Sequence, residues 1–473
     1  PTEISIVPAQ TEERLLEGYS ESKLGYQLVR KGLIGPALTV NLGYGGTATR
    51  GADFSGPTTV ALAAQAAEAT FQITSLDDEL FEGSETVVIS VAAGTGYAIG
   101  SPATATATII DDDYPAGTVL FTDDFETDSS ARWTVNSADG GWDSAADFAF
   151  DYSALYVPQM PGSTTTKALR FRLNEQAGAG INAISASPLN LNLSGDFRVK
   201  FKVWINYNGP MYDGGAGSTM HFTMGVGTSG DHANMALGGL SDGIWFDLDG
   251  DGGSTFAMGD CNAYINMERQ EDTSGVYAAG TENYPRSTGN PYYASLWGNI
   301  PAPAAQLANY PGQTGISQPG NMGVAWHTIT LTKASDQVTW HIDGILIATV
   351  PASGLPDGNV FVGFSDLFAG AAGVPEMGFV LVDNFRVETF ASDPIRITRI
   401  EIKGANAEIS FTGPAEKAAS EFKVQSANAV NGTYATDNAA NIIQVGPGSF
   451  KATTSVSGAS RFYRIALGTL AET

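Results

Sequence analysis

Residues 76–91 read LDDELFEGSETVVISV, an acidic run that leads directly into an alternating apolar segment. In that segment Val87, Ile89 and Val91 occupy every second position, which is the period with which side chains alternate between the two faces of a β-strand. The stretch therefore predicts a strand with one face in a core, preceded by a segment that carries several carboxylates.

The same alternation recurs along the chain, with Gly, Asn, Asp or Pro between the runs. Short alternating runs rich in Thr, Val, Ile and aromatic residues are typical of antiparallel sandwiches. One stretch, residues 60–69, is ambiguous because its alanines also suit a helix. We predict an all-β protein, and the clearest further strands are residues 103–110, 198–204, 328–332, 337–342 and 379–387.

The chain has 473 residues, which is too long for a single core. Breaks at Tyr114-Pro115-Ala116-Gly117 and at Asp393-Pro394 divide it. We predict three β-sandwich domains, at 1–114, 118–391 and 395–473. Within the second, residues 272–322 are rich in Tyr, Pro, Gly, Asn and Ser and form a long loop insertion, which is usually functional or packed on a neighbour.

The charge balance limits the class of partner. There are 50 acidic and 24 basic residues, a net charge of −26. Nucleic acids and anionic membranes require clustered Lys and Arg, so we expect neither as a partner. No run approaches the roughly 18 apolar residues of a membrane-spanning helix, so we expect no membrane span. The balance favours cations or a cationic partner.

Cys261 is the single cysteine, so no intrachain disulfide can form. An exported protein without disulfides can restrain its loops with metal ions instead. The start Pro1-Thr2-Glu3 has no basic and apolar leader, so we expect any signal peptide to have been removed or left out. We interpret Cys261 itself as a small residue in a strand or loop.

Acidic residues of the first domain occur in separated segments that a Greek-key sandwich brings to one end. Two carboxylates 4 Å apart repel by ~4 kcal/mol at an effective dielectric of about 20. Several such pairs rival the ~5–15 kcal/mol that stabilises a whole domain. Calcium removes this repulsion and accepts irregular shells of oxygen ligands. The sequence therefore favours a calcium-binding tip, and the alternative is a solvated acidic face.

The order of these segments resembles that of Calx-β domains: an EG pair at 17–18, GTATRGADF at 46–54, DDELFEGSE at 77–85 and a final DDD at 111–113. The resemblance implies a seven-stranded sandwich with calcium ions at one tip. We expect neutralisation of the tip to stiffen the joint at 113–117. Ser84 departs from the pattern, because many members have Asp there. The ligands that the resemblance implies are Glu17, Asp53, Asp77, Asp78, the carbonyl of Leu80, Glu82, Glu85, Asp111, Asp112 and Asp113.

The second domain carries LFTDDFE at 120–126, WHTITL at 326–331 and FVLVDNFRV at 379–387. Together these segments resemble a concanavalin-type jelly roll of the laminin-G-like kind. Asp343-Gly344 predicts a hairpin turn, because Gly tolerates positive φ. The fold hosts lectins, hydrolases and inert spacers alike, so the resemblance implies the fold without the function.

A second candidate metal site lies at Asp247, Asp249 and Asp251, in the sequence DLDGDGG. The D-x-D-x-D-G order places three carboxylates on one side of a tight loop, as in the first half of an EF-hand. Met258 stands where the EF-hand has its bidentate Glu. The alternative is a plain Asp-Gly-rich turn.

Catalytic patterns are missing from the sequence. No strand carries an E-x-D-x-x-E pattern, and Glu268 with Glu271 is the nearest approach to a glycosidase pair. The histidines form no HxH or HExxH pattern, and no G-x-S-x-G or P-loop is present. We therefore expect a protein that is not an enzyme.

Aromatic residues of the long loop allow two interpretations. They can stack on sugars, or they can pack the loop onto its own sandwich or a neighbouring subunit, and we favour packing. The residues concerned are Tyr284, Tyr292, Tyr293, Trp297 and Tyr310.

The last domain resembles the small fibronectin-III-like C-terminal sandwiches of bacterial exported proteins, and its segment RFYRI at 461–465 ends that pattern. We expect an extracellular or cell-surface protein, exported by a bacterium. The predicted role is a calcium-binding structural or adhesive subunit that assembles head to tail into a filament or matrix. The alternative is a lectin-like protein that binds polysaccharide.

Overall fold

The computed structural model confirms the all-β class, with 51% of the residues in strands and 6% in helices. It divides into two compact units, Pro1–Thr389 and Phe390–Thr473. The division into three domains stays a prediction. The structure describes residues 2–32, 34–115, 117–176, 180–209, 220–236, 239–250, 259–280, 284–334, 336–367, 371–389, 395–413, 418–427, 434–446, 448–456 and 461–467.

The first sandwich consists of two five-stranded sheets, with strand orders β5-β7-β3-β1-β9 and β2-β10-β8-β4-β6. The resemblance implied seven strands, and the short edge segments β2, β5 and β9 account for the difference. The ambiguous stretch 60–69 contains the end of β6, a connection at 63–67 and the start of β7, and none of it is helical. The ten strands are β1 (Glu3–Pro8), β2 (Arg14–Leu16), β3 (Lys23–Lys31), β4 (Leu38–Gly46), β5 (Phe54–Ser55), β6 (Thr59–Leu62), β7 (Glu68–Ser75), β8 (Glu85–Val91), β9 (Ala98–Ile99) and β10 (Thr104–Ile110).

The core of the first sandwich follows from the alternation in its sequence. Val87, Ile89 and Val91 of β8 are all buried, whereas the residues between them are partly exposed. Strand β3 repeats this pattern with Leu24, Tyr26 and Leu28, which lie in the same cluster. Burying one face of each sheet against the other supplies the hydrophobic stabilisation of the sandwich.

The second sandwich is larger and consists of an eight-stranded and a seven-stranded sheet. The eight-stranded order is β13-β14-β25-β16-β21-β22-β23, with β11 also paired to β25, and the seven-stranded order is β12-β15-β24-β17-β18-β19-β20. Its strands are β11 (Thr118–Asp123), β12 (Trp133–Ser137), β13 (Ser144–Asp151), β14 (Lys167–Leu173), β15 (Asn182–Pro188), β16 (Phe197–Asn206), β17 (Met220–Thr228), β18 (Ile244–Asp249), β19 (Cys261–Ile265), β20 (Glu268–Arg269), β21 (Trp326–Ala334), β22 (Gln337–Ile342), β23 (Ile345–Pro351), β24 (Asn359–Asp366) and β25 (Phe379–Thr389).

The predicted hairpin turn at Asp343-Gly344 is confirmed. Strands β22 and β23 pair antiparallel across it, and the two residues have φ values of 50° and 76°. Two successive positive φ values match the right-handed twist of a two-residue hairpin. Cys261 is buried in β19, in agreement with the packing interpretation.

The long segment 272–322 contains two short helices, α1 (Pro291–Ala294) and α2 (Ala304–Asn309). Tyr293 and Trp297 are buried in the core of the second sandwich, and the Trp297 indole donates to Asp343 Oδ2 at 2.8 Å. Tyr284 is 49% exposed. The favoured interpretation, packing onto the parent sandwich, therefore describes Tyr293 and Trp297 but not Tyr284.

Within the first unit, one end of the first sandwich packs on the second. Leu16 and Tyr19 join the core of the second sandwich. The Tyr19 ring stacks on His327, with centroids 4.8 Å apart and 10° between planes. Ser20 exchanges two hydrogen bonds with Trp326, at 3.1 Å through its N–H and 3.0 Å through its hydroxyl. The end that docks is the end that carries the acidic segments.

The second unit has a four-stranded sheet, β26-β27-β31-β30, and a three-stranded sheet, β29-β28-β32. Phe411, Phe422 and Phe450 form its core. Its fibronectin-III-like assignment stays a prediction. In the part of the chain that the structure describes, no helix is both long and apolar enough to cross a membrane. The strands are β26 (Arg396–Lys403), β27 (Asn406–Thr412), β28 (Phe422–Ala427), β29 (Ala435–Thr436), β30 (Asn441–Gly446), β31 (Ser449–Ser455) and β32 (Phe462–Leu467).

Candidate metal centre at the end of the first sandwich

The topology of the first sandwich explains why its acids meet. Strand β2 runs parallel to β10, with Leu16 beside Ile110, so Glu17 and Asp111 leave the sheet side by side. The Glu17 N–H donates to the Ile110 carbonyl at 3.1 Å. The loop between β7 and β8 and the turn before β5 bring the remaining acids to this end. We call this set the acidic end: Glu17, Asp53, Asp77, Asp78, Glu82, Glu85, Asp111, Asp112 and Asp113.

Three of these residues form what we call the inner group, Glu17, Asp78 and Asp113. One carboxylate oxygen of each lies within 4.8 Å of the other two. Glu17 is 8% exposed and Asp113 is 6% exposed. The Asp113 Oδ2 atom is buried and accepts no hydrogen bond. A buried oxygen without a donor is costly, which is the condition that a bound cation would relieve.

A second set, Asp53, Glu82 and Glu85, forms what we call the outer group. One oxygen of each again lies within 4.8 Å of the others. Asp53 is buried, and its carboxylate accepts from the Thr49 N–H within its own turn. Glu82 is exposed, and Glu85 opens β8. Solvent therefore reaches the outer group more easily than the inner group.

Carboxylates outnumber the positive charges beside them at the acidic end, where Lys200 contacts Asp113 of the inner group. Burial, together with Asp112 and Asp111, raises the pKa of Glu17 to about 9. Burial and the neighbouring Asp53 raise the pKa of Glu85 to about 7. Burial raises the pKa of Asp113 to about 6, against the lowering effect of Lys200. A cation bound at either group would oppose these shifts and favour the ionised carboxylates.

Asp111 belongs to neither group. Its Oδ2 accepts from the N–H groups of Glu82, at 2.8 Å, and Gly83. Its Oδ1 accepts from the Asp113 N–H at 2.6 Å. Asp111 thus holds one residue of each group in place. The predicted ligand role of the Leu80 carbonyl stays a prediction, although the Leu80 N–H donates to Asp78 Oδ1 at 2.7 Å.

Asp77 and Asp112 also lie outside both groups, and their predicted role as metal ligands stays a prediction. The Lys202 ammonium contacts Asp77 Oδ2 at 2.6 Å. The Lys200 ammonium lies 3.6 Å from Asp112 Oδ2 and also contacts Asp113. Both lysines belong to β16 of the second sandwich. These two carboxylates turn to the second sandwich because it supplies the opposite charge.

Sequence reasoning missed the two lysines, although a signal was present. Arg198, Lys200 and Lys202 occupy alternating positions of one predicted strand, so they share one face of the sheet. Three basic side chains in a stripe on one face of a sheet predict a contact with an acidic surface. The stripe and the acidic end border a cleft of about 530 Å³, into which Asp78 and Asp113 of the inner group open.

The second candidate site has a different backbone from the one predicted. Asp247 and Asp249 lie in strand β18, which pairs regularly with β19, so the expected tight loop does not form there. Alternation places their side chains on one face of the sheet. Asp251 lies outside the described residues. The metal-binding role of Asp247, Asp249 and Asp251 stays a prediction.

Asp247 is surrounded by protein donors. Its carboxylate accepts from the Tyr264 hydroxyl at 2.8 Å and from the Asn262 amide at 2.6 Å. His221 lies 3.3 Å away through Nδ1. Burial alone would lower the pKa of His221, but Asp247 outweighs it and raises that pKa to about 9. A charged imidazole thus already balances the Asp247 carboxylate. We call these four residues the buried polar cluster.

Comparison with known proteins identifies the first sandwich. Residues 26–113 match the model of the Calx-beta domain family, which confirms the predicted domain over these residues. Glu17 precedes the matched segment. A structure of the apo-form Calx CBD1 domain is 27% identical, with a TM-score of 0.20, and the match covers 23% of this chain and 98% of that one. No curated protein matches.

Other solved structures are similar to this chain at low identity. A Bacillus subtilis protein of unknown function with a galectin-like fold is 11% identical, with a TM-score of 0.30, over 58% of this chain and 98% of its own. The exoplasmic/lumenal domain of VIP36, in a Ca2+/Man2-bound form, is 8% identical, with a TM-score of 0.30, over 56% of this chain and 86% of its own. A CBD12 structure from CALX1.2 is 18% identical, with a TM-score of 0.21, over 42% of this chain and 62% of its own length.

Proposed function

We propose that this chain is a calcium-binding protein whose ions bind at the acidic end of the first sandwich. The observation that carries the proposal is the inner group, in which Glu17, Asp78 and Asp113 converge to within 4.8 Å. Its Asp113 Oδ2 is buried and lacks a donor. The match of residues 26–113 to the Calx-beta family supports the same assignment.

The donor set suits calcium better than other common ions. Both groups offer carboxylate oxygen only, which excludes the nitrogen and sulfur ligands that zinc and copper favour. Calcium takes six to eight oxygens in irregular geometry, whereas magnesium demands a near-ideal octahedron. The three carboxylates of the inner group come from three different segments, and with second oxygens, carbonyls or water they fit the calcium preference.

Bound calcium would act on the joint between the two sandwiches. Asp113 belongs to the inner group and opens the connection to β11, so an ion there would restrain the connection as well as the acidic end. The segments that carry Glu17 and Asp78 contact the second sandwich through their neighbours Tyr19 and Asp77. Neutralising the carboxylates would therefore stiffen the docked arrangement.

This mechanical role leads to the wider proposal. A restrained pair of sandwiches suits a structural or adhesive protein outside the cell, exported by a bacterium and assembled head to tail into a filament or matrix. In this proposal the second sandwich is a laminin-G-like jelly roll, the last unit is a fibronectin-III-like spacer, and the chain binds partners without catalysing a reaction.

A carbohydrate-binding role is the second candidate. Tyr284 and Tyr292 of the long segment are exposed, and exposed aromatic rings are the surfaces on which sugars stack. A glycan array with the intact chain tests this role. Binding that is lost in Tyr284→Ala and Tyr292→Ala, but kept in Tyr97→Ala of the first sandwich, would favour it over the structural role.

Calorimetric titration of the calcium-stripped full chain with CaCl2 tests the calcium proposal. We expect saturable binding in the wild type and in Glu68→Gln, which changes an exposed carboxylate of β7 away from both groups. Asp78→Asn is expected to lose the inner ion. Absence of binding heat in the wild type, together with a melting curve that calcium does not shift, would refute the proposal.

A further inference from the structure

Two ammonium groups of the second sandwich penetrate the acidic end of the first. Lys202 is 8% exposed, and its Nζ donates to Asp77 Oδ2 at 2.6 Å and to Thr328 Oγ1 at 2.7 Å. Lys200 contacts Asp113 and lies 3.6 Å from Asp112. Asp112 is almost fully buried, so these lysines are the cations that the structure provides for it.

We propose that Lys202, with Lys200 beside it, is a built-in cation that takes the place of a metal ion next to Asp77 and Asp112, so that these two carboxylates bind the second sandwich and no calcium. Asp113 contacts Lys200 through Oδ1 and keeps its Oδ2 for the inner group. The inference rests on the proposed function, calcium binding at the inner and outer groups. It adds which carboxylates of the acidic end are not calcium ligands. It also departs from the ligand set that the family resemblance implies.

Electrostatic exclusion supports the inference. A calcium ion bound between Asp77 and Asp112 would lie next to the Lys202 ammonium. Two neighbouring positive charges repel strongly where burial excludes water. The lysine side chain cannot easily withdraw, because its stem is packed in the sheet and its ammonium is held by Thr328. Removal of a buried charge from its partner leaves that partner uncompensated, which disfavours the exchange further.

The ion pairs of the two lysines bridge the seam between the sandwiches. Lys202 Nζ lies 2.6 Å from Asp77 Oδ2, and both side chains are 10% exposed. Lys200 Nζ lies 3.6 Å from Asp112 Oδ2, and the Asp112 side chain is 1% exposed. The two sandwiches are therefore joined by ion pairs that need no dissolved ion, beside the Tyr19–His327 stack.

Two adjacent substitutions separate lysine-paired from metal-binding carboxylates. Asp77→Asn and Asp78→Asn are isosteric changes at neighbouring positions of one loop. In calorimetric calcium titrations of the full chain, we expect Asp77→Asn to keep the wild-type number of ions, with affinity changed by less than about twofold. Asp78→Asn is expected to lose one ion or to bind it at least about tenfold more weakly. Equal calcium losses in the two variants would overturn the inference.

Lys202→Met gives the converse test, because it removes the ammonium that contacts Asp77 and opens room for a metal beside Asp77 and Asp112. We expect one additional calcium ion and a melting temperature that becomes more dependent on calcium than in the wild type. Lys333→Met is the matched control, since Lys333 lies in neighbouring β21 and pairs loosely with Asp196 at 3.9 Å. A folded Lys202→Met protein with the wild-type ion count would overturn the inference, and if it does not fold, the Asp77 and Asp78 pair decides.

Failure of the proposed function gives a different pattern. If the wild type binds no calcium, the calcium proposal is wrong, and the ion count of Lys202→Met alone then decides the inference. A gain of one ion in that variant supports built-in cations in a chain without metal, and no gain overturns it.

Discussion

The acidic end of the first sandwich and the buried polar cluster of the second both place carboxylates where a metal site is predicted, yet they differ in what surrounds the oxygens. In the cluster, Asp247 accepts from Tyr264 and Asn262 and faces a charged His221. In the inner group, the buried Asp113 Oδ2 has no donor. Between Asp247 and Asp113, the difference lies in the hydrogen-bond donors that reach the carboxylate oxygens, whereas the spacing of acids along the chain does not reveal it.

Asp247→Asn is expected to have the largest effect in this comparison. It removes the counter-ion of a buried, charged His221 and should cost about 3 to 5 kcal/mol of unfolding free energy. Because protein donors serve the cluster, the loss should be the same in calcium and in chelator. Urea unfolding in both conditions measures it, and a loss seen only in calcium would show instead that Asp247 holds an ion.

Chelation of the wild type is expected to have the next largest effect. An ion at a hundredfold excess over its Kd stabilises the folded state by about 3 kcal/mol, so EDTA should lower the melting temperature of the unit Pro1–Thr389. Asp78→Asn should show a smaller shift, while Tyr264→Phe should keep the wild-type shift. Calorimetric melts of all three chains provide the measurement, and identical wild-type melts in EDTA and calcium would contradict the difference between the two regions.

A pH dependence should appear in the acidic end when calcium is removed. The Glu17 pKa is raised from 4.5 to about 9 in the folded chain. Between these values the folded state keeps a proton that the unfolded state has lost, so stability should fall as pH rises through this window. Calcium displaces that proton and should flatten the profile. Denaturation curves at mildly acidic and mildly alkaline pH, with EDTA and with calcium, compare the slopes.

The smallest expected effect comes from Tyr264→Phe, which removes one donor from Asp247. The loss of a hydrogen bond to a buried carboxylate should cost about 1 to 3 kcal/mol. His221 still balances the charge, so we expect no additional calcium ion in titrations. An extra ion in this variant would show that a single missing donor converts the cluster into a metal site.

Much of the fold and part of the site could be predicted from the sequence, for a physical reason. Strands that bury one face, such as β8, show alternating apolar and polar residues in the sequence. The acidic motifs lie in loops that the sandwich topology brings to one end. Strand β18 could not be recognised in this way, because all six of its residues are buried and its sequence shows no alternation. Its two acids then resemble a loop motif. The period-two signal disappears when both faces of a strand are covered.

The contacts between the sandwiches could not be predicted in the same way. Lys202 and Asp77 are 125 residues apart, and nothing local links them. The stacking of Tyr19 on His327 depends likewise on how two finished domains meet. The basic stripe on β16 could have indicated an acidic neighbour, but the partner of such a stripe is set by tertiary packing rather than by sequence spacing.

The contact between the two sandwiches also gives the molecule an intrinsic fluorescence probe. This contact involves Ser20, Trp326, Tyr19 and His327. All seven tryptophans follow residue 132, so the first sandwich contributes no indole emission. Trp326 exchanges two hydrogen bonds with Ser20, and Trp297 lies edge-on to His327 with ring centres 6.4 Å apart. Separation of the sandwiches would admit water beside these two rings, so intrinsic fluorescence reports undocking in an unlabelled chain.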